Sequence, residues 1–196
     1  SILTDFDGEY TAEIRLPEAL EEKLLCPFHY FGVTDTVDLS AERFWRNGRY
    51  DVDELENILA IDQSFALRRV DNIVNAIDQY QPNRENIRGV GFCAGIRHAK
   101  FMSECFNRLE ISSAALIGNT GSEEREQYLQ DFREGTIKFL FVVDILSEGV
   151  DIPEINLVMF LRPTESLTIF LQQLGRGLRH TPGKECLTVL DFVGQT

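Results

Sequence analysis

Two short clusters in the second half of the chain hold residue types whose spacing could do chemistry. The first is Val142-Val143-Asp144-Ile145-Leu146-Ser147-Glu148-Gly149-Val150-Asp151-Ile152-Pro153, and the second is Gln172-Gln173-Leu174-Gly175-Arg176-Gly177-Leu178-Arg179. Residues three apart on a helix share a face, so Arg176 and Arg179 can aim at one point. Two guanidinium groups converging from a rigid element suit a polyphosphate whose oxygens redistribute charge during transfer. Gly175 and Gly177 each cost a helix about 1 kcal/mol against alanine, which is easier to understand if the backbone must approach a neighbouring surface closely. Each cluster also has a plainer account. The arginines could answer the dipole at a helix C-terminus, and Gly149 to Pro153 could be a turn, with Asp151 capping and Pro153 stopping regular structure. Their joint occurrence, in this order on one expected rim, favours the chemical account.

The elements that must position these clusters begin at Ile87. Arg88 to Cys93 reads as a strand, and Ala99, Met102, Phe106 and Leu109 then recur at the three- and four-residue steps of a helix face. Ser113 to Ile117 is a second short strand. Gly118 to Ser122 is a turn into a charged helix, with Thr120 or Ser122 as N-cap and Glu123 and Glu124 in the first turn. That helix buries Tyr128, Leu129 and Phe132, and Gly135 is placed to end it. Lys138 to Val143 is apolar on both faces, as an interior parallel strand should be, and Leu157 to Leu161 and Leu187 to Phe192 repeat the signature. Ser166 to Leu178 reads as the helix between the last two strands. This alternation predicts an α/β fold, an open and mainly parallel sheet with helices on both faces. Right-handed crossovers would bring the loops Ala94–Ile96, Gly118–Ser122 and Asp144–Pro153 to one rim, at the carboxyl ends of the strands, where such sheets bind ligands.

The first 80 residues are less regular. Pro27 to Val37 could supply an edge strand, and Ser40 to Asp53, with the only tryptophan, Trp45, reads as a loop or short insertion. Ala66, Val70, Ile73, Ile77 and Tyr80 step along one face of a helix. The rim loops hold no aromatic cluster that could stack splayed bases, which argues against a single-strand stacking platform.

Charge is unevenly spread. The net charge is −13, yet residues 1–80 carry 7 basic and 17 acidic side chains while residues 81–196 carry 12 and 15. A near-neutral second part can still present a local basic groove. Four cysteines without a C-x-x-C pair, and three scattered histidines, favour a reduced, cytoplasmic chain over a disulfide framework or a metal site. No apolar run approaches the ~20 residues of a membrane span, and the acidic start lacks the layout of a signal peptide. The phosphate-cradling G-x-x-x-x-G-K-[ST] pattern is missing, since Gly183-Lys184 is followed by Glu185. The opening at Ser1, without a methionine, leads us to expect a piece of a longer protein.

The two clusters resemble motifs V and VI of superfamily 2 helicases. Phe92 to Ala99 resembles motif IV, which opens their second, C-terminal RecA-like domain. Leu116-Ile117-Gly118 through Glu124-Arg125, then Phe132 to Gly135, resembles the stretch between motifs IV and V. The resemblance covers nearly all of residues 87–196, and the wording Ser147-Glu148-Gly149-Val150-Asp151-Ile152-Pro153 is closest to the branch of restriction-enzyme translocases and excision-repair helicases. Pro17 to Phe28 resembles the segment joining the two RecA-like domains there. Val143 and Gln172 stand where many RNA helicases have threonine and histidine, a departure from the DEAD-box pattern that the restriction-like branch tolerates.

The resemblance implies an interdomain arm at residues 1–24 and the second RecA-like domain at 25–196, with a loop and helical segment at 40–80 and motifs IV to VI within 87–180. It implies that Arg176 and Arg179 are arginine fingers reaching across a cleft to the γ-phosphate, a device that supplies ~10³–10⁵ in rate in phosphoryl transfer. Asp151 and Gly149 would contact the nucleotide, Gln172 would help register the domain interface, and Gly95, Arg97, Asn119 and Asp144 would face a nucleic-acid backbone. The implied cofactors are ATP and Mg2+, with Mg2+ held mainly by an N-terminal RecA-like domain of the same polypeptide. The implied partner is double-stranded DNA, and no membrane is involved. This 196-residue chain alone is expected to hydrolyse no ATP. A non-catalytic interaction module on the same fold is the alternative.

Overall fold

Short runs of large apolar side chains build the centre of the molecule. The computed structural model describes residues 26–38, 41–46, 49–81, 85–143, 152–163, 184 and 186–193. Strand β1 is Phe28–Thr34, and a two-stranded hairpin follows, β2 (Trp45–Arg46) and β3 (Arg49–Tyr50). Helix α1 (Val52–Glu56) runs into a π-helical turn, Asn57–Ile61, and α2 spans Gln63–Tyr80. Then come β4 (Gly89–Phe92), α3 (Ile96–Arg108), β5 (Ser113–Leu116), α4 (Ser122–Glu134), β6 (Phe139–Val142), β7 (Leu157–Phe160) and β8 (Leu187–Val193). Six strands form one sheet in the order β1-β8-β7-β4-β6-β5, every neighbouring pair parallel. The expected fold class is observed, and β1 is an edge strand as its sequence suggested.

All four residues of β4, β6 and β7 are buried, because helices cover both faces of such a sheet. Spacing of residue sizes explains the pairing of β4 with β6. Gly89 and Gly91 lie opposite Phe139 and Phe141, and a Cβ at either glycine would overlap the facing ring. The two Phe rings lean over the glycine strand and meet Phe106 of α3 edge-on, at centroid distances of 5.1 and 4.9 Å. Each such buried ring contributes about 1.5–3 kcal/mol of apolar transfer.

Helix ends show where local signals held and where they moved. Gly135 closes α4 with φ 90°, the left-handed conformation that favours glycine. The N-cap position of α4 is Gly121, without a side-chain cap. Thr120, an expected cap, instead accepts the Ile117 N–H at 3.0 Å and tightens the preceding turn. Leu109 was expected on the buried face of α3, but the helix ends at Arg108 and Leu109 is 49% exposed. The segment read as a loop at 40–53 contains the β2–β3 hairpin and the start of α1. Asp51 caps α1 by accepting the Asp53 and Glu54 N–H groups. The expected helix at Ser166–Leu178 and the arm at 1–24 lie outside the described residues.

Candidate functional site

Parallel strands end on one side of the sheet, so the carboxyl ends of β4, β5, β6 and β7 share a rim. Gly95 and Asn119 stand on that rim, in the loops after β4 and β5, and Arg97 lies in the first turn of α3. Asp144, Gly149, Asp151, Gln172, Arg176 and Arg179 lie outside the described residues. Residues 142–143, which lead into the first cluster, end β6 on the same rim.

Gly95 occupies the N-cap position of α3 and supplies no side-chain cap. The cap comes from elsewhere. Glu56, at the end of α1 and 6% exposed, places Oε1 to accept the Arg97 N–H at 2.6 Å and the His98 N–H at 3.4 Å. Its Oε2 lies 3.7 Å from Arg97 Nε. A Cβ at Gly95 would overlap this carboxylate, so the glycine provides the room it needs. The first amides of α3, on the side expected to face a nucleic-acid backbone, are thus engaged by a carboxylate of the same chain. Arg97, 58% exposed in its side chain, is paired on one side and open to solvent on the other.

A buried polar network lies beneath this cap. Arg69, 1% exposed, donates from Nε to both Asp35 oxygens at 3.0 and 2.8 Å and from Nη2 to the Leu161 carbonyl at 3.0 Å. Its Nη1 lies 3.4 Å from His98 Nε2, and His98 Nδ1 accepts the Ala94 N–H at 3.2 Å. The network joins the ends of β1 and β7 to the loop after β4 and to the first turn of α3. Burial, helped by the Arg69 charge, holds the His98 imidazolium well below its usual range, so the ring is neutral near pH 7. Burial also pushes the Cys93 thiol up, which leaves a protonated, unreactive sulfur. All four cysteines are free, and the described residues hold no group of three His, Cys, Asp or Glu suited to a metal ion. None of the described helices is long and apolar enough to cross a membrane.

The arrangement gives a rigid rim with one plugged helix start and one helix start without a side-chain cap. The profile of the helicase conserved C-terminal domain family matches residues 69–181, a span that begins at Arg69 and includes both clusters. The chain belongs to that family. Among its relatives is irc3 of Schizosaccharomyces pombe, named as a mitochondrial ATP-dependent helicase, 41% identical over 101 residues, 52% of this chain and 17% of that protein. A 51.5 kDa protein of a Lactococcus phage is 26% identical over 170 residues, 87% of this chain and 35% of that one. UvrABC system protein B of Gloeothece citriformis is 27% identical over 192 residues, 82% of this chain and 28% of its own length.

Helicase C-terminal domains also supply structural neighbours. The ATP-dependent Type ISP restriction-modification enzyme LlaBIII, solved bound to DNA, superposes with a TM-score of 0.66 at 18% identity over 100% of this chain and 14% of that one. The Pyrococcus furiosus Hef helicase domain gives 0.51 at 24% identity over 65% of this chain and 26% of its own. At these identities the likeness is one of fold, RecA-like in each case. The chain spans 17 to 35% of the length of the three relatives named above.

Sequence reasoning missed Glu56, Asp35, Arg69 and His98. One signal was available: Arg69 falls between Ala66 and Ile73 on the apolar stripe of α2, a charge where burial is expected. Nothing comparable marks Glu56, whose partners are 41 and 42 residues away.

Proposed function

We propose that this domain is the second RecA-like half of an ATP-driven DNA translocase or helicase. The observation that carries this reading is the family match across residues 69–181, a span that includes both the glycine-bearing and the arginine-bearing cluster. Arg176 and Arg179 act as arginine fingers toward the γ-phosphate of a nucleotide bound mainly by a first RecA-like domain of the same polypeptide. Gly149 and Asp151 approach that nucleotide, and Gln172 helps register the two domains. When bound, ATP would supply the phosphoryl group and Mg2+, held by the first domain, would offset its charge; the part played by this chain is positioning and charge. Gly95, Arg97, Asn119 and Asp144 line the side that meets a sugar-phosphate backbone. Duplex DNA is the proposed track because the sequence departs from the DEAD-box pattern at Val143 and Gln172. Four free cysteines fit a reducing, cytoplasmic setting.

The test is steady-state ATPase activity of the full-length protein with and without duplex DNA. Arg176→Ala and Arg179→Ala should each lower kcat by about 10³-fold or more with little change in KM, since a finger acts mainly in the transition state. The 196-residue chain alone should hydrolyse no ATP. Wild-type kcat in either variant, with the fold intact, would favour the non-catalytic module.

A further inference from the structure

The expectation against a stacking platform rested on the rim loops alone; the β2–β3 hairpin, which packs beside the loop after β4, carries an aromatic pair and arginines that it left out. Trp45 and Tyr50 are cross-strand partners with ring centroids 4.1 Å apart and planes 36° apart. Trp45, 44% exposed, is the only tryptophan of the chain. Its neighbour Phe44 is 1% exposed and packs with Leu55, Leu59, Val37 and Ala94. Ala94 belongs to the loop that leaves β4, so this small core seats the hairpin beside Gly95. The Asp51 N–H donates to the Phe44 carbonyl at 2.8 Å and closes the base of the hairpin. Trp45 is thus mounted on a packed base and shown to solvent, with Tyr50 partly buried between it and that core.

Charge around the pair is selective. Residues 1–80 hold 7 basic side chains against 17 acidic ones, yet three of the seven, Arg43, Arg46 and Arg49, fall within Arg43–Tyr50, where no acid occurs. The Arg43 guanidinium lies 4.6 Å from the centroid of Phe44. Arg46, 79% exposed in its side chain, meets Asp51 at 3.4 Å on one side only. An exposed indole with three arginines within four residues of it along the chain, inside an otherwise acidic segment, matches a ligand that is both planar and anionic. Nucleobases on their phosphate backbone have that combination.

We infer that the Trp45–Tyr50 hairpin is a stacking site for an unpaired nucleobase, with Arg43 and Arg46 facing the adjoining phosphates. The inference rests on the proposed nucleic-acid motor and sharpens its substrate: the rim takes a single strand or the splayed end of a duplex, not only a closed double helix.

The only tryptophan makes the test direct. The 196-residue chain is titrated with a labelled oligothymidylate, a fork with unpaired arms, a blunt duplex and heparin as a base-free polyanion, following label anisotropy and Trp45 emission together. The expected result is quenching of Trp45 by the oligothymidylate and the fork, weak quenching by the blunt duplex, and none by heparin. Trp45→Ala should weaken oligothymidylate binding by about tenfold or more and leave heparin binding alone, while Trp45→Phe keeps most of the affinity. Arg46→Ala should weaken every polyanion several-fold. Thermal melts of the variants check that the exposed substitutions leave the fold intact. Rising anisotropy with unchanged Trp45 emission and an unaffected Trp45→Ala Kd overturns the stacking site, as does equal quenching by the blunt duplex or no binding at all. A Trp45 response to the first RecA-like domain but to no oligonucleotide overturns it in favour of a protein interface. None of these failures touches the motor reading, which stands on the ATPase of the Arg176 and Arg179 variants.

Discussion

Helices α3 and α4 begin alike and end up in opposite states. Both follow a parallel strand of the sheet, both start on the same rim, and both have glycine at the N-cap position, Gly95 and Gly121. The amides of α3 receive Glu56, a carboxylate from outside the helix, and the buried Arg69–Asp35 pair lies beneath it. The amides of α4 receive no side-chain cap, and only Glu123 and Glu124 of its own first turn answer the dipole. A helix start on a ligand-binding rim is therefore not automatically an anion site: a chain segment folded over it can take the place first. The plugged start anchors the segment that carries Trp45, while the start at Gly121–Ser122, beside Asn119, has no side-chain cap among the described residues.

Four measurements would break or sharpen this contrast. The largest effect should come from beneath α3. Arg69→Ala leaves the Asp35 carboxylate buried without its partner and should cost about 3–5 kcal/mol in urea denaturation. A loss under 1 kcal/mol would mean the network does not hold the rim together.

Next is the plug itself. Glu56→Ala strips two amides of their acceptor and should cost about 1–2 kcal/mol. It should also release Arg97, so that binding to duplex DNA strengthens and the slope of log K against log salt steepens by up to about one. Glu56→Gln keeps an acceptor oxygen and should recover much of the stability while still raising affinity. Unchanged DNA binding in both variants would show that Arg97 does not face the nucleic acid.

The third concerns pH. Because burial depresses the His98 pKa in the folded domain, the unfolded imidazole takes up a proton near pH 6.5 that the folded one refuses. The contribution of His98 is therefore complete above about pH 6.5 and is lost as pH falls below it, at up to about 1.4 kcal/mol per pH unit. Urea midpoints between pH 7.5 and 5.5 should fall in the wild type and fall less steeply in His98→Asn. The smallest effect is expected at α4, where Ser122→Ala should change stability by less than about 0.5 kcal/mol, because no cap bond depends on it.

Much of this molecule could be read along the chain. Every strand of the main sheet, the helices α2, α3 and α4 and the closing Gly135 follow from patterns that repeat within a few residues. A buried parallel strand must be apolar on both faces, and a helix must show its apolar stripe at three- and four-residue steps. The hairpin was legible too, in hindsight. Asn47-Gly48 between Trp45-Arg46 and Arg49-Tyr50 is a strong short hairpin signal, in a stretch that the lone tryptophan and Gly48 make read as a loop.

What the sequence determined by itself, then, is the order of its elements and the two clusters that mark its family, because both are written in neighbouring residues. Only the tertiary structure decided which groups share the rim. Glu56 meets α3 across 41 residues, Arg69 meets Asp35 across 34 and the Leu161 carbonyl across 92. Those encounters depend on the sheet having closed in the order β1-β8-β7-β4-β6-β5. A carboxylate in the sequence carries no mark of the amide it will accept from. The direction in which α1 leaves the hairpin, set by packing on Phe44 and Ala94, brings Glu56 to Gly95 and leaves Trp45 facing solvent.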